Sequence, residues 1–355
     1  MSKHILFLIH GIGSHESSWS EELNGPIETL KKVSQQYQYF KQAGQDPFGE
    51  RVECVSVHYD EVFRDMIDKW KKDANSITPF DPTGVFKDGM GWLSSASDED
   101  FWWSHLADLA MYRCFPLYRQ AVRITVIKQF AEVIERVVKA DGAAYCSVLA
   151  HSMGTAVAHD CLHLLGTKQW ADGPYANVLG PAHWRFQNMF MVANTSRLLQ
   201  TEDQEMKKAY DSIVRPGSLE DPQSYCFAYW NFRHEADPVP FPKRFEPIGW
   251  SNYQNEVIRH YYEFNVHNLS HYLLHPRVHI PILNKVIAHK AVTPAETIKA
   301  VDAFPQFGGD LAFIGKAKDM AVRLQGLTGD MTDELSIMDW IKKLVTFKQI
   351  MESAR

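Results

Sequence analysis

The chain has 355 residues, a net charge of −6 and 45% hydrophobic residues, enough apolar material for one large core or two modest ones. Its paired lysines (Lys31-Lys32, Lys71-Lys72, Lys342-Lys343) sit in charge-mixed, helix-like stretches and read as solvated faces, which argues against a nucleic-acid partner. No apolar run approaches the roughly 20 residues of a membrane span, the sequence enters a strand without a signal-like segment, and five cysteines without a paired spacing fit a reducing cytoplasm.

Ile5-Leu6-Phe7-Leu8-Ile9 predicts a strand over 4–10 buried on both faces, as in a parallel sheet. A helix-like segment at 19–37 follows, then a strand at Val52–Tyr59 and an amphipathic helix at 121–139. Cys146–Ala150 reads as the next strand, running into a turn at His151-Ser152 and a second helix. Further strands are predicted near 188–193, 225–232 and 261–266, with helical stretches between them. Strand and helix alternating in this way predict an α/β class fold, a mainly parallel central sheet flanked by helices.

Residues 63–120 interrupt the rhythm and are too long for a plain connection. Their aromatics, among them Trp70, Trp92, Phe101, Trp102 and Trp103, suit an inserted cap or lid, with Trp102 and Trp103 as candidate substrate contacts. Packing of the insertion onto the main domain is the competing reading. Residues 1–290 are expected to form the main domain and 291–355 a C-terminal helical extension that contains an irregular link at Phe304–Gly309.

Four short segments carry chemistry. In Ala150-His151-Ser152-Met153-Gly154, small residues flank a serine on a strand-to-helix turn, which pushes the hydroxyl out of the sheet toward a base. A plain turn serine or helix cap is the alternative there. His10-Gly11-Ile12-Gly13 ends the first strand with a bare backbone that can aim amides into a site. Acyl transfer needs two such donors for its oxyanion, and Ile12, with Gly13 as the neighbouring possibility, and Met153 are the pair expected. Pro238 biases Asp237 toward extended backbone at a strand end, where its carboxylate can orient an imidazole, with Glu235 as the substitute. His267 follows the strand-like run ending at Val266 and is the expected base, His271 the alternative.

Serine, then aspartate, then histidine, each after a strand, with His-Gly after an earlier strand, resembles the serine esterases and lipases of the α/β-hydrolase superfamily. The resemblance spans about residues 3–290 and departs from the usual motif in having Ala150 where glycine is common. It implies an α/β-hydrolase fold with Ser152 as nucleophile, His267 as base and Asp237 as acid in a catalytic triad. It also implies Ile12 and Met153 as oxyanion donors, with His10, Gly11 and Gly13 beside a small-molecule or lipid-like ester. No cofactor is implied. Thioester or amide cleavage and acyl transfer use the same residues and stay open, as does a non-catalytic scaffold that binds a protein partner. His267, His271, His275 and His279 recur at ligand spacing for a helix, but Pro276 breaks that helix, so no metal site is expected.

Overall fold

The computed structural model describes residues 3–11, 19–23, 25–42, 47–62, 116–142, 144–167, 185–197, 212–218, 224–240, 244–262, 265–307 and 311–329, with a few isolated positions besides. In chain order these form β1 (His4–Ile9), α1 (Pro26–Ser34), α2 (Gln38–Gln42), α3 (Pro47–Arg51), β2 (Val52–Val57), α4 (Pro116–Asp141), β3 (Cys146–His151) and α5 (Met153–Gly166). Then follow β4 (Phe186–Val192), β5 (Cys226–His234), β6 (Tyr253–Ile258), α6 (Leu269–Leu274), α7 (Pro276–Val286), α8 (Pro294–Ala303) and α9 (Leu311–Gly329).

The strands make one sheet in the order β2-β1-β3-β4-β5-β6, with every pairing parallel. Alternation within β1 explains why an unbroken apolar run is needed. Ile5, Phe7 and Ile9 pack with Val126 and Phe130 of α4 and Val157 and Cys161 of α5. Leu6 and Leu8 point the other way, into a second cluster with Leu30 of α1, Leu273 of α6 and Val278 and Leu283 of α7. Helices therefore cover both faces, as the alternating pattern predicts.

The chain leaves β1 for β2 on one side and returns to β3 on the other. The strand order therefore reverses between β1 and β3, at whose carboxyl ends His10 and Ser152 stand. Open α/β sheets bind ligands at such a switch point.

One strand differs from the sequence expectation. The last strand is Tyr253–Ile258, and Tyr261 makes only an isolated bridge to Phe307. At the sheet edge β6 pairs β5 alone, and its polar residues Gln254 and Asn255 are exposed. It lacks the apolar signature that marks the interior strands. Among the described residues no helix is long and apolar enough to cross a membrane. Within 291–355, α9 packs Ala317, Met320 and Ala321 against Ala236, Tyr261 and Val266, on the loops that carry Asp237 and His267. Residues 330–345 lie outside the described residues, as does most of 63–120.

Candidate active site

Ser152 sits between β3 and α5 with φ 53° and ψ −127°, a left-handed conformation that a side-chain-bearing residue rarely adopts. It is the N-cap position of α5, yet its side chain makes no capping bond. The hydroxyl is turned elsewhere, so the plain-cap reading fails. The turn is held by its neighbours. The Ser152 N–H donates to the Val192 carbonyl at 2.9 Å. Its own carbonyl accepts from the Thr155 hydroxyl at 2.6 Å and the Thr195 hydroxyl at 2.8 Å. Thr195 lies just beyond β4, so two strand ends grip the strained residue.

Close approach of backbones completes the turn. A Cβ on Gly154 would stand 2.3 Å from the His10 carbonyl oxygen and 2.8 Å from that of Ile9, so only glycine lets α5 rest on the end of β1. A Cβ on Gly11 would stand 3.0 Å from the Ser152 Cβ, which places the His10-Gly11 turn directly against the serine.

The structure brings Ser152, His267 and Asp237 into one buried row. His267 Nε2 lies 2.9 Å from Ser152 Oγ, and His267 Nδ1 lies 2.8 Å from Asp237 Oδ2. Asp237 also accepts from the Tyr272 hydroxyl at 2.7 Å on Oδ2 and from the Val239 N–H at 3.0 Å on Oδ1. Burial pushes the Asp237 carboxyl up, but the His267 charge and the bonds from His267, Tyr272 and Val239 outweigh it and hold the group below its ordinary range. An ionised Asp237 can only accept, so the His267 proton sits on Nδ1. Nε2 then carries the lone pair, and the Ser152 hydroxyl donates to it. His151 fastens this arrangement, its Nε2–H donating to the His267 carbonyl at 2.8 Å.

The alternatives weighed from sequence fall elsewhere. Glu235 pairs with Arg259, and His271 Nε2 bonds the His260 carbonyl at 2.9 Å. His10 is committed to the turn itself, stacked on Tyr59 at 4.4 Å with its Nε2 3.5 Å from Asp60. Met153 opens α5, so its N–H has no acceptor within the helix and belongs to the positive helix end. Ile12, Gly13, Trp102 and Trp103 lie outside the described residues. Thr155, Thr195, His151 and Tyr272 were not singled out from sequence, because each acts through a contact that only the folded chain creates.

A second histidine cluster lies behind Asp237. His234, His260 and His271 are buried and bring one ring nitrogen each within 4.8 Å of one another. Their protons do not suit a metal. Each Nε2 donates to a carbonyl: His234 to His260 at 2.6 Å, His260 to His271 at 2.9 Å, and His271 back to His260. His234 Nδ1 already accepts from the Ala236 N–H at 3.1 Å, so that ring has no lone pair left. The His260 and His271 rings stack at 4.1 Å and 9°, so their in-plane lone pairs cannot converge on one ion. Burial is the main cause that lowers His234 to about 4, His271 to about 3 and His260 further still. The cluster is a neutral knot tying β5, the end of β6 and α6 together.

No protein-family model matches the chain, and no curated protein does.

Proposed function

We propose that the protein is a serine hydrolase of the α/β-hydrolase type, cleaving a carboxylic ester through an acyl-enzyme on Ser152. The observation that carries this reading is the hydrogen-bonded row from Ser152 Oγ to His267 to Asp237, with distances of 2.9 and 2.8 Å, set at the switch point of a parallel sheet.

In this scheme Ser152 Oγ attacks the ester carbonyl while His267 Nε2 takes its proton, and Asp237 steadies the imidazolium. The carbonyl oxygen becomes an oxyanion, held by the Met153 N–H and a second amide assigned to Ile12. His267 then protonates the leaving alcohol. Water attacks the acyl carbonyl in turn, giving its proton to His267, and the acid departs as Ser152 recovers its hydrogen. No metal or cofactor takes part in these steps. The strained φ of Ser152 supports the scheme, since strain of this kind persists only where the surrounding structure over-determines it.

Cysteines 54, 146, 161 and 226 are all free, which supports a cytoplasmic setting. The test is turnover of p-nitrophenyl esters of increasing chain length, beside matched thioesters and amides. Wild type is expected to favour esters, and Ser152→Ala to lose at least about 10⁴-fold in kcat. Turnover by the alanine variant near the wild-type rate would remove Ser152 from the mechanism, and a preference for thioesters would reassign the bond.

A further inference from the structure

Tyr272 lies on α6 and is fully buried, and its hydroxyl has two partners. It accepts from the His234 backbone N–H at 2.9 Å and faces Asp237 Oδ2 at 2.7 Å. A backbone N–H can only donate, so it occupies a lone pair on the hydroxyl oxygen. The one hydroxyl hydrogen must therefore go to the carboxylate. Burial, the Asp237 charge and this bond all hold the phenol well above its ordinary pKa, so it keeps that hydrogen. Tyr272 and His267 thus give their protons to the same oxygen.

We infer that Tyr272 is a positioning residue for the reaction: by donating to Asp237 Oδ2, it fixes the carboxylate and limits how strongly Asp237 draws the His267 Nδ1 proton. This rests on the serine-hydrolase reading above. The geometry gives the device a rigid base. His234 Nε2 is tied to the His260 carbonyl at 2.6 Å, and the stacked His260 and His271 rings lock β6's end to α6 one residue before Tyr272. The hydroxyl is thereby aimed from a braced helix at a braced strand end. Without it, Oδ2 keeps only the His267 donor, the carboxylate binds that proton more tightly, and the imidazolium gains stability.

The test compares wild type with Tyr272→Phe, which keeps the ring, and Tyr272→Met, which fills the space by another route. The pH dependence of kcat/KM on a p-nitrophenyl ester is recorded between pH 5.5 and 9. The titratable groups facing Asp237, Tyr272 and His267 are His234, His271 and His151, the last common to all three proteins, with Arg233 as a fixed charge. Burial holds His234 and His271 at about 4 and 3, so neither titrates in that window. The acid limb is expected to move up by about 0.5–1 pH unit in both variants. Imidazole NMR titration, with His267 assigned through His267→Gln, is expected to show the same shift without any substrate.

A lowered melting temperature with both limb and NMR midpoint unmoved would overturn the inference and leave Tyr272 a purely structural residue. The same NMR shift between wild type and the variants, in a protein whose wild type turns over no ester, would uphold the coupling to Asp237 while sinking the hydrolase reading. Folding of either variant suffices, because both lack the hydroxyl.

Discussion

Gly154→Ala offers a test in which two physical effects have opposite signs. In the first turn of a helix, alanine is better than glycine by up to about 1 kcal/mol. At this position the added Cβ would meet the His10 carbonyl oxygen at 2.3 Å and the Ile9 carbonyl oxygen at 2.8 Å. Both are main-chain atoms, and the His10 carbonyl is also held by the Tyr59 hydroxyl at 2.7 Å, so neither yields as a flexible side chain would. Relief requires α5 to move away from β1 by about 1 Å. Overpacking of this sort costs about 1–3 kcal/mol, and a main-chain contact belongs at the upper end. After the propensity gain is subtracted, a net loss of about 2 kcal/mol remains, or roughly 3 °C in melting temperature for a chain of this length. The same movement shifts Ser152 against its partners, and under the proposed mechanism misplacement on that scale should lower ester turnover about 100-fold.

Gly315→Ala in α9 is the control, because among the described residues nothing stands within 4 Å of its added Cβ. It should raise stability by a few tenths to about 1 kcal/mol. Urea denaturation of the two variants side by side measures both signs. A Gly154→Ala protein as stable as Gly315→Ala would mean that α5 does not rest on β1 as described, and the placement of Ser152 would fall with it.

Further outcomes follow from the site and its supports. Asp237→Asn keeps the shape of the row but removes the charge that fixes the His267 tautomer, so kcat on esters should drop about 10⁴-fold; a loss below tenfold would remove Asp237 from the mechanism. Stability should also fall in mild acid. His234 and His271 are held at about 4 and 3 in the folded chain and titrate near 6.5 when unfolded, so only the unfolded chain gains protons as pH drops below about 6.5. Their stabilisation is complete above that pH. Each loses about 1.4 kcal/mol per unit below it, and urea midpoints from pH 7 to 5 should decline steeply, whereas a flat series would contradict the neutral knot. Asp160 accepts from the Tyr112 hydroxyl at 2.7 Å and from Arg123 at 3.0 Å in a largely buried pair. Asp160→Ala takes the carboxylate away from both the Tyr112 hydroxyl and the Arg123 guanidinium and should cost about 3 kcal/mol in chemical denaturation; a change under 1 kcal/mol would refute the pairing.

The parts of the site legible in the sequence are those marked by local rules. The turn around Ser152 announces itself through its small neighbours, Asp237 through the proline that follows it, and β1 through five apolar residues in a row. Pro276 also does what its ring requires: α6 stops at Leu274, and His275 becomes the extended cap of the next helix. What the sequence hides is whatever depends on distant pairing. β6 is polar at the sheet edge, so apolar alternation points to 261–266 instead; His267 lies on a loop, but one that follows β6 at some distance and not a strand ending at Val266. The knot joins His234, His260 and His271 from two strand ends and a helix, whereas spacing drew attention to histidines four apart. Tyr272 gives no local signal at all, because a buried tyrosine reads as core until its hydroxyl is seen against Asp237.

The most direct measurement exposes the protein to a fluorophosphonate and maps the added mass by peptide sequencing. A single adduct on Ser152, absent in His267→Gln, is the predicted result. An unmodified Ser152 in folded wild-type protein, or an adduct on another residue, would contradict the account.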